Sequence, residues 1–192
     1  MNMRPISSLL VGVLLAFAAG LASADEYSDT IDLFKKAGES ASFFGNAYAY
    51  AVFPSIGSGA LIVGGARGTG RVYVHGQYVG DTSMTQLSVG FQAGGQGYRQ
   101  IIFFQDQRAF DEFAKGDYSF GADVSAVAIQ ASASTGVGTS GSSSSVGSNP
   151  NVAQTTGAYH KGVAVFTVVR GGAMVSAAVA GQKFSYTPKG SN

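Results

Sequence analysis

The sequence predicts an α+β domain, β-rich and single, with about seven mostly antiparallel strands, short N-terminal helices and one internal helix. Three observations carry this. At 192 residues the chain holds one domain more naturally than two. Hydrophobic residues make up 45% of it, which excludes a disordered chain and supplies a packed core. The third is alternation, clearest where Leu87, Val89, Phe91 and Ala93 are interleaved with Gln86, Ser88, Gly90 and Gln92, the pattern of a strand with one buried face.

The first 24 residues read as an export signal. Arg4 supplies a positive start, an apolar run follows from Ser8 to Gly20, and Ala22-Ser23-Ala24 forms a small-residue cleavage site. Cleavage after Ala24 leaves residues 25–192 as one exported domain, expected in the periplasm. It also removes Arg4, so basic and acidic residues become equal in number. The chain has no Cys, so neither a disulfide nor a lipoprotein anchor is available to it.

Between residues 25 and 50, Ile31, Phe34, Phe44 and Tyr48 recur at helical spacing with interruptions near Gly38 and Gly45, predicting two short helices. Val52-Phe53-Pro54 ends that stretch, because a proline disfavours helix in the residue before it. Residues 60–65, 71–79, 85–93 and 97–104 read as strands, and the glycine-dense 64–70 as a tight turn between two of them. Asp106 is placed to cap a helix in which Ala109, Phe110 and Phe113 share one face, and Gly116 to close it. Residues 120–131 return to a β pattern. The segment 132–156 is almost wholly Ser, Gly, Ala, Thr and Asn, too poor in apolar groups to offset its ordering entropy, and predicts a flexible loop. Residues 158–169 and 173–186 read as two final strands around Gly171-Gly172.

Chemistry-bearing motifs are scarce. Only His75 and His160 could act as imidazole bases, neither at a spacing that implies a partner, and no Gly-x-Ser-x-Gly elbow occurs. Two histidines without a thiol do not predict a metal site. The Gly64 to Gly70 run fails the dinucleotide spacing at Tyr73, and no Gly-Lys-Ser/Thr ends a phosphate loop, so no cofactor is expected. Asp106, Asp111, Glu112, Asp117 and Asp123 cluster on and beside one amphipathic helix, the pattern of a solvated face. A net charge of +1 excludes a nucleic-acid binder working through bulk positive charge.

One asymmetry remains. No acidic residue follows Asp123, whereas Lys161, Arg170, Lys183 and Lys189 do, and Arg67 and Arg71 join them if the sheet brings the turns together. Such a basic end suits phosphate head groups, each basic residue contributing about 1 kcal/mol near an anionic bilayer.

The segment from Ala47 to Ile56 (AYAVFPSI after Ala47-Tyr48), followed by Val63-Gly64-Gly65-Ala66-Arg67-Gly68-Thr69-Gly70-Arg71-Val72, resembles the start of the SYLF domain. Gly80-Asp81-Thr82-Ser83, Ala109-Phe110-Asp111-Glu112-Phe113, Gly162-Val163-Ala164-Val165-Phe166 and Gly181-Gln182-Lys183-Phe184 resemble its later blocks, in order, over about residues 32–186. The resemblance implies a β-rich lipid-binding module whose eukaryotic members bind phosphoinositides and, in some cases, actin. Two departures stand out: Ser58 occupies a place where relatives carry a basic residue, and the entering helix is acidic, so a basic interfacial helix is absent. An exported protein would not meet actin. The expected function is therefore non-enzymatic binding of phospholipid at a membrane surface through Arg67, Arg71, Lys161, Arg170 and Lys183. Two alternatives stay open: a small outer-membrane barrel, which the signal peptide and alternating strands also suit but which needs an even number of at least eight strands, and an enzyme of undetected type.

Overall fold

The computed structural model describes residues 26–57, 65–87, 97–121, 123–124, 126–129, 157–169, 179 and 181–190. The leader, the Ser/Gly-rich segment 132–156, Arg170, the turn at Gly171-Gly172 and most of the strands expected at 60–65 and 85–93, with the first half of that expected at 173–186, lie outside them.

Three helical segments open the described chain: α1 at 26–36, α2 at Gly38–Ala41 and α3 at Phe43–Asn46. The breaks fall at Ala37 and Ser42 rather than at Gly38 and Gly45. The first is held by the buried Ser40 hydroxyl, which donates to the Phe34 carbonyl at 2.6 Å. Among the described residues seven strands follow in one sheet: β1 Ala49–Gly57, β2 Gly65–Val74, β3 Gln77–Leu87, β4 Tyr98–Phe104, β5 Ala126–Ile129, β6 Val163–Val169 and β7 Gln182–Pro188. Their spatial order is β5-β6-β4-β1-β2-β3-β7, and every pairing is antiparallel except β5 with β6. The expected α+β class and strand number are those observed. β5 and β7 stand at opposite ends of the order, and among the described residues the sheet does not close.

The internal helix α4, Gln107–Ala114, forms where the sequence placed it. The Asp106 carboxylate accepts from the Ala109 amide at 2.8 Å, satisfying an otherwise orphan donor, and Gly116 leaves the helix at φ +87.

Several boundaries differ from expectation, each for a physical reason. Residues 49 and 50 belong to β1, not to a helix: β1 lies between β2 and β4 and is packed on both faces, so it reads as a continuous apolar run that periodicity cannot separate from buried helix. Pro54 does not end an element. The register slips between Val52 and Ser55, a bulge that accommodates a residue without an N–H. The described part of the glycine run, from Gly65, is strand β2 rather than a turn. The strand expected over 71–79 is cut at His75 and Gly76, whose φ of 48 and 79 make a two-residue type I′ hairpin linking Val74 to Gln77. Lys161 and Gly162 (φ 51 and 84) make a second such turn closed by His160 and Val163, so β6 begins five residues later than expected. Gly181, at φ +79, likewise starts β7 at Gln182.

The sheet has a core on each face. On one, Phe53, Ile56, Val72, Met84, Phe104, Phe120 and Phe184 pack with Ala109 and Phe113 of α4. On the other, Phe34 and Phe43 of the N-terminal helices pack against Val52, Ile101, Phe103 and Phe166. Gly68 and Gly70 present bare backbone to the first core. A Cβ there would meet Ile56 Cγ1 at 2.6 Å and the Phe53 ring at 2.7 Å.

The sheet curls over its α4 face. Three strands separate β4 from β7, yet the Gln100 Nε2 of β4 donates to Gln182 Oε1 of β7 at 2.9 Å, and Gln182 Nε2 donates back to Gln100 Oε1 at 3.1 Å. A flat sheet would hold those backbones roughly 19 Å apart.

Replacing Gly70 by Ala is expected to destabilise the fold by ~1–3 kcal/mol through overpacking. Replacing exposed Gly45 in α3, which has nothing near its Cβ position, is expected to stabilise it by up to ~1 kcal/mol. Urea unfolding of the two variants checks both signs; equal shifts would refute the close-approach account.

Candidate functional site

Alternation along β2, β3 and β7 divides their residues cleanly. Gly68, Gly70, Val72, Thr82, Met84, Gln182 and Phe184 turn towards the α4 core and are buried. Their neighbours turn the other way, onto the face whose β1-β4-β6 half is covered by α1 and α3. Among the described residues the β2-β3-β7 half of that face is largely open, and the register fixes what it carries. Arg67 pairs with Thr85, which pairs with Lys183; Thr69 with Ser83, and Ser83 with Ser185; Arg71 with Asp81, and Asp81 with Thr187. Arg67, Thr69, Thr85, Lys183, Ser185 and Thr187 are all exposed.

Arg67 and Lys183 therefore flank Thr85 in a single row, their backbones roughly 10 Å apart. Lys189, bonded through its amide to the Val79 carbonyl at 2.8 Å, adds a cation at the far end, its ammonium 5.4 Å from the Tyr78 ring. Asp81 is the one carboxylate on these three strands.

Arg71 is partly engaged. Its guanidinium lies 4.3 Å from the ring centre of Tyr27 in α1 and 5.4 Å from that of Tyr78, and its Nε is 4.0 Å from Asp81 Oδ1. The Tyr27 phenol is raised above its usual pKa, chiefly by burial, with a hydrogen bond to Thr69 opposing the rise. The N-terminal end of α1 thus borders the open face. Beside it Tyr50 and Tyr73 stack at 5.1 Å, and burial pushes Tyr50 up to about 12.

Of the residues singled out from sequence, Arg67, Arg71 and Lys183 come together on this face. Lys161 does not. Its ammonium lies 2.6 Å from Asp123 Oδ2, in the turn preceding β6, where Gly162 abuts Ala109 and Arg108 of α4. His160 Nε2 meets the same carboxylate oxygen at 3.1 Å, a partner that chain spacing did not reveal. The excess of basic residues beyond Asp123 is thus partly offset by Asp123 itself. Sequence reasoning missed the hydroxyl residues of the face and, as a site residue, Lys189. The signal was present in Arg67-Gly-Thr69-Gly-Arg71 and Lys183-Phe-Ser185-Tyr-Thr187, where polar residues recur at every second position, but the glycines made the first resemble a turn.

The interior also contains polar groups. Gln182 Nε2 donates to the Tyr98 hydroxyl at 2.9 Å, and Tyr98 in turn reaches Gln86 Oε1 at 3.4 Å. Burial pushes the Tyr98 phenol up to about 12, the Gln182 bond working against the rise. Gln100 and Gln182 are fully enclosed, so this network ties strands together and does not present a surface. Among the described residues, no group of three His, Cys, Asp or Glu is placed to hold a metal ion.

With this geometry in hand, the comparisons with known proteins give a consistent answer. The family described as Ysc84, Las17-binding protein actin regulator, matches residues 85–188, more than half of the chain and all of β4 to β7. The protein belongs to this family, which corresponds to the SYLF resemblance and is one of lipid-binding, actin-regulator-like binding domains rather than of enzymes. No curated protein matches the chain.

Asp123 should titrate well below the ordinary carboxylate range, because Lys161 and then His160 hydrogen-bond its charged form. With the folded value depressed, the clamp's contribution to stability is present above the unfolded value of about 3.9 and is lost as pH falls through the folded value. Carboxyl-carbon NMR of the protein and of Lys161→Ala is expected to show an upward shift of the Asp123 midpoint in the variant; an unchanged midpoint would refute the pairing.

Proposed function

We propose that the protein is a non-enzymatic, exported module that docks on an anionic phospholipid surface through the open face of β2, β3 and β7. The observation that carries this reading is the register placing Arg67 and Lys183 on either side of Thr85, with Arg71 and Lys189 on the same face, against one carboxylate. The face is exposed and strand-borne, so its cations are held at fixed spacing on a surface broad enough to meet several head groups. Membership of a lipid-binding family supports the same partner. The N-terminal signal pattern supports export to the periplasm, with attachment peripheral to a membrane. Lys161 is left out of the docking face because Asp123 engages it, and Arg170 lies outside the described residues.

The attraction is electrostatic and therefore screened by salt over a Debye length of about 10 Å at 0.1 M. Co-sedimentation with vesicles tests it. The protein is expected to pellet with anionic but not zwitterionic vesicles at low salt, and to be released at high salt. Arg67→Gln with Lys183→Gln should remove about 2 kcal/mol, roughly thirtyfold in affinity, while Lys161→Gln should leave binding unchanged. Equal pelleting of the double variant and the parent would exclude this face as the docking site.

A further inference from the structure

One arginine has no role in the arrangement described so far. Tyr98 and Gln100 turn towards the α4 core, so Gly97 and Arg99, on either side of Tyr98, turn to the opposite face. Next to them the β1 bulge brings Ser55 onto that same face, where strict alternation from Phe53 would have buried it. Ser55 is exposed, and its Oγ lies 3.8 Å from the place a Cβ would take on Gly97. Gly57 follows on the same side, opposite Arg67 of β2. A Cβ on Gly57 would meet only the Gly97 Cα, at 3.8 Å, among the described residues. Two neighbouring strands thus expose bare backbone, with Arg99 and Ser55 on one side and Arg67 on the other. Arg99 is half-buried, and its Nε is enclosed without a hydrogen-bond acceptor. Among the described residues neither Arg99 nor Arg67 forms an ion pair. A partly desolvated guanidinium without a counter-charge is unfavourable, and an anion meeting its Nη groups would relieve that cost.

We infer that Arg99 and Ser55, over the bare backbone of Gly57 and Gly97, form a binding site for a single carboxylate. The Nη groups of Arg99 donate to the carboxylate oxygens, the Ser55 hydroxyl donates to one of them, and Arg67 adds positive potential from β2. The planar group lies flat on the glycines, in the space that side chains there would fill. A phosphate fits less well, because its further oxygens rise out of that plane and one guanidinium with one hydroxyl leaves them unpaired. The carboxylate of a free small acid and that at the end of a peptide chain present the same chemistry to these residues. The site does not depend on the lipid-surface reading, although Arg67 is common to both.

NMR titration of the full protein tests this, following the amide signals of Gly57 and Gly97 and the Nε–H signal of Arg99. The probes, at equal ionic strength, are acetate, inorganic phosphate, and an N-acetylated glycine-alanine peptide with either a free or an amidated C-terminus. Saturable shifts are expected with acetate and the free-acid peptide, several-fold weaker binding with phosphate, and none with the amide. Tighter binding of the peptide than of acetate assigns the site to a chain end; equal binding assigns it to a free small acid. Ser55→Ala is expected to weaken acetate roughly tenfold, the loss of one hydrogen bond to a charged group. Arg99→Lys, which keeps the charge but not the fork, should weaken it similarly, and Arg99→Gln should abolish the shifts. Gly57→Ala, for which the fold has room, should also weaken binding by filling the floor. Urea unfolding separates a structural role: Arg99→Gln is expected to leave the midpoint unchanged or raised. A lowered midpoint with acetate binding retained would overturn the inference. So would phosphate binding as tightly as acetate, or no saturable shift with either carboxylate.

Discussion

The approach of Phe53 and Ile56 onto bare backbone at Gly70 and Gly68 is the constraint from which the rest of the structure follows. Side chains at either position would push β1 and β2 apart in the middle of the sheet, where packing leaves no room for a methyl group. Because those positions are empty, the aromatic and aliphatic groups of β1 lie across β2, and Phe53 reaches Phe184 of β7 with ring centres 5.8 Å apart. The bulge at Phe53-Pro54 makes this possible: it lets both Val52 and Ser55 face the helix side while Phe53 and Ile56 face α4. The reciprocal Gln100–Gln182 amide pair then fixes the curl between strands that are distant in the sheet's order.

Curling over α4 has a counterpart on the other face. The concave side is filled by α4 and by residues 118–120, which cap the outer edge of β7 through the Phe120 amide to the Gln182 carbonyl and the Phe184 amide to the Tyr118 carbonyl. That cover protects an edge that would otherwise be free to pair with another chain. On the convex side the N-terminal helices cover β1, β4 and β6 and stop at Tyr27 over Arg71. Among the described residues the remaining half-sheet is largely uncovered, and its exposed positions carry hydroxyls and charges. The fold and the open half of the sheet are thus two results of one arrangement. The helices supply only enough apolar surface to bury half of the sheet.

What could be read in the chain beforehand varied with the range of the signal. Helix α4 was legible because its cap, apolar face and terminating Gly116 are all local. The sheet class was legible from alternation. β1 was not, since a strand buried on both faces loses its alternation; nor was β2, since glycine marks both a turn and a strand on which another side chain lies. The type I′ turns at His75-Gly76 and Lys161-Gly162 escaped because a non-glycine residue occupies the first left-handed position in each. In the candidate site, Arg67, Arg71 and Lys183 were named from charge, but charge could not separate them from Lys161, whose partner Asp123 lies 38 residues away in the chain.

The sequence by itself determined the α+β class, the capped internal helix, the scarcity of catalytic and metal-binding groups, and the family resemblance, because each is written in local periodicity, composition or order along the chain. Only the tertiary structure decided which cations share a surface, which hydroxyls lie between them and which lysine is already paired. Those are properties of register across strands, and register is set by side chains meeting across the sheet, above all by what Gly68 and Gly70 leave room for.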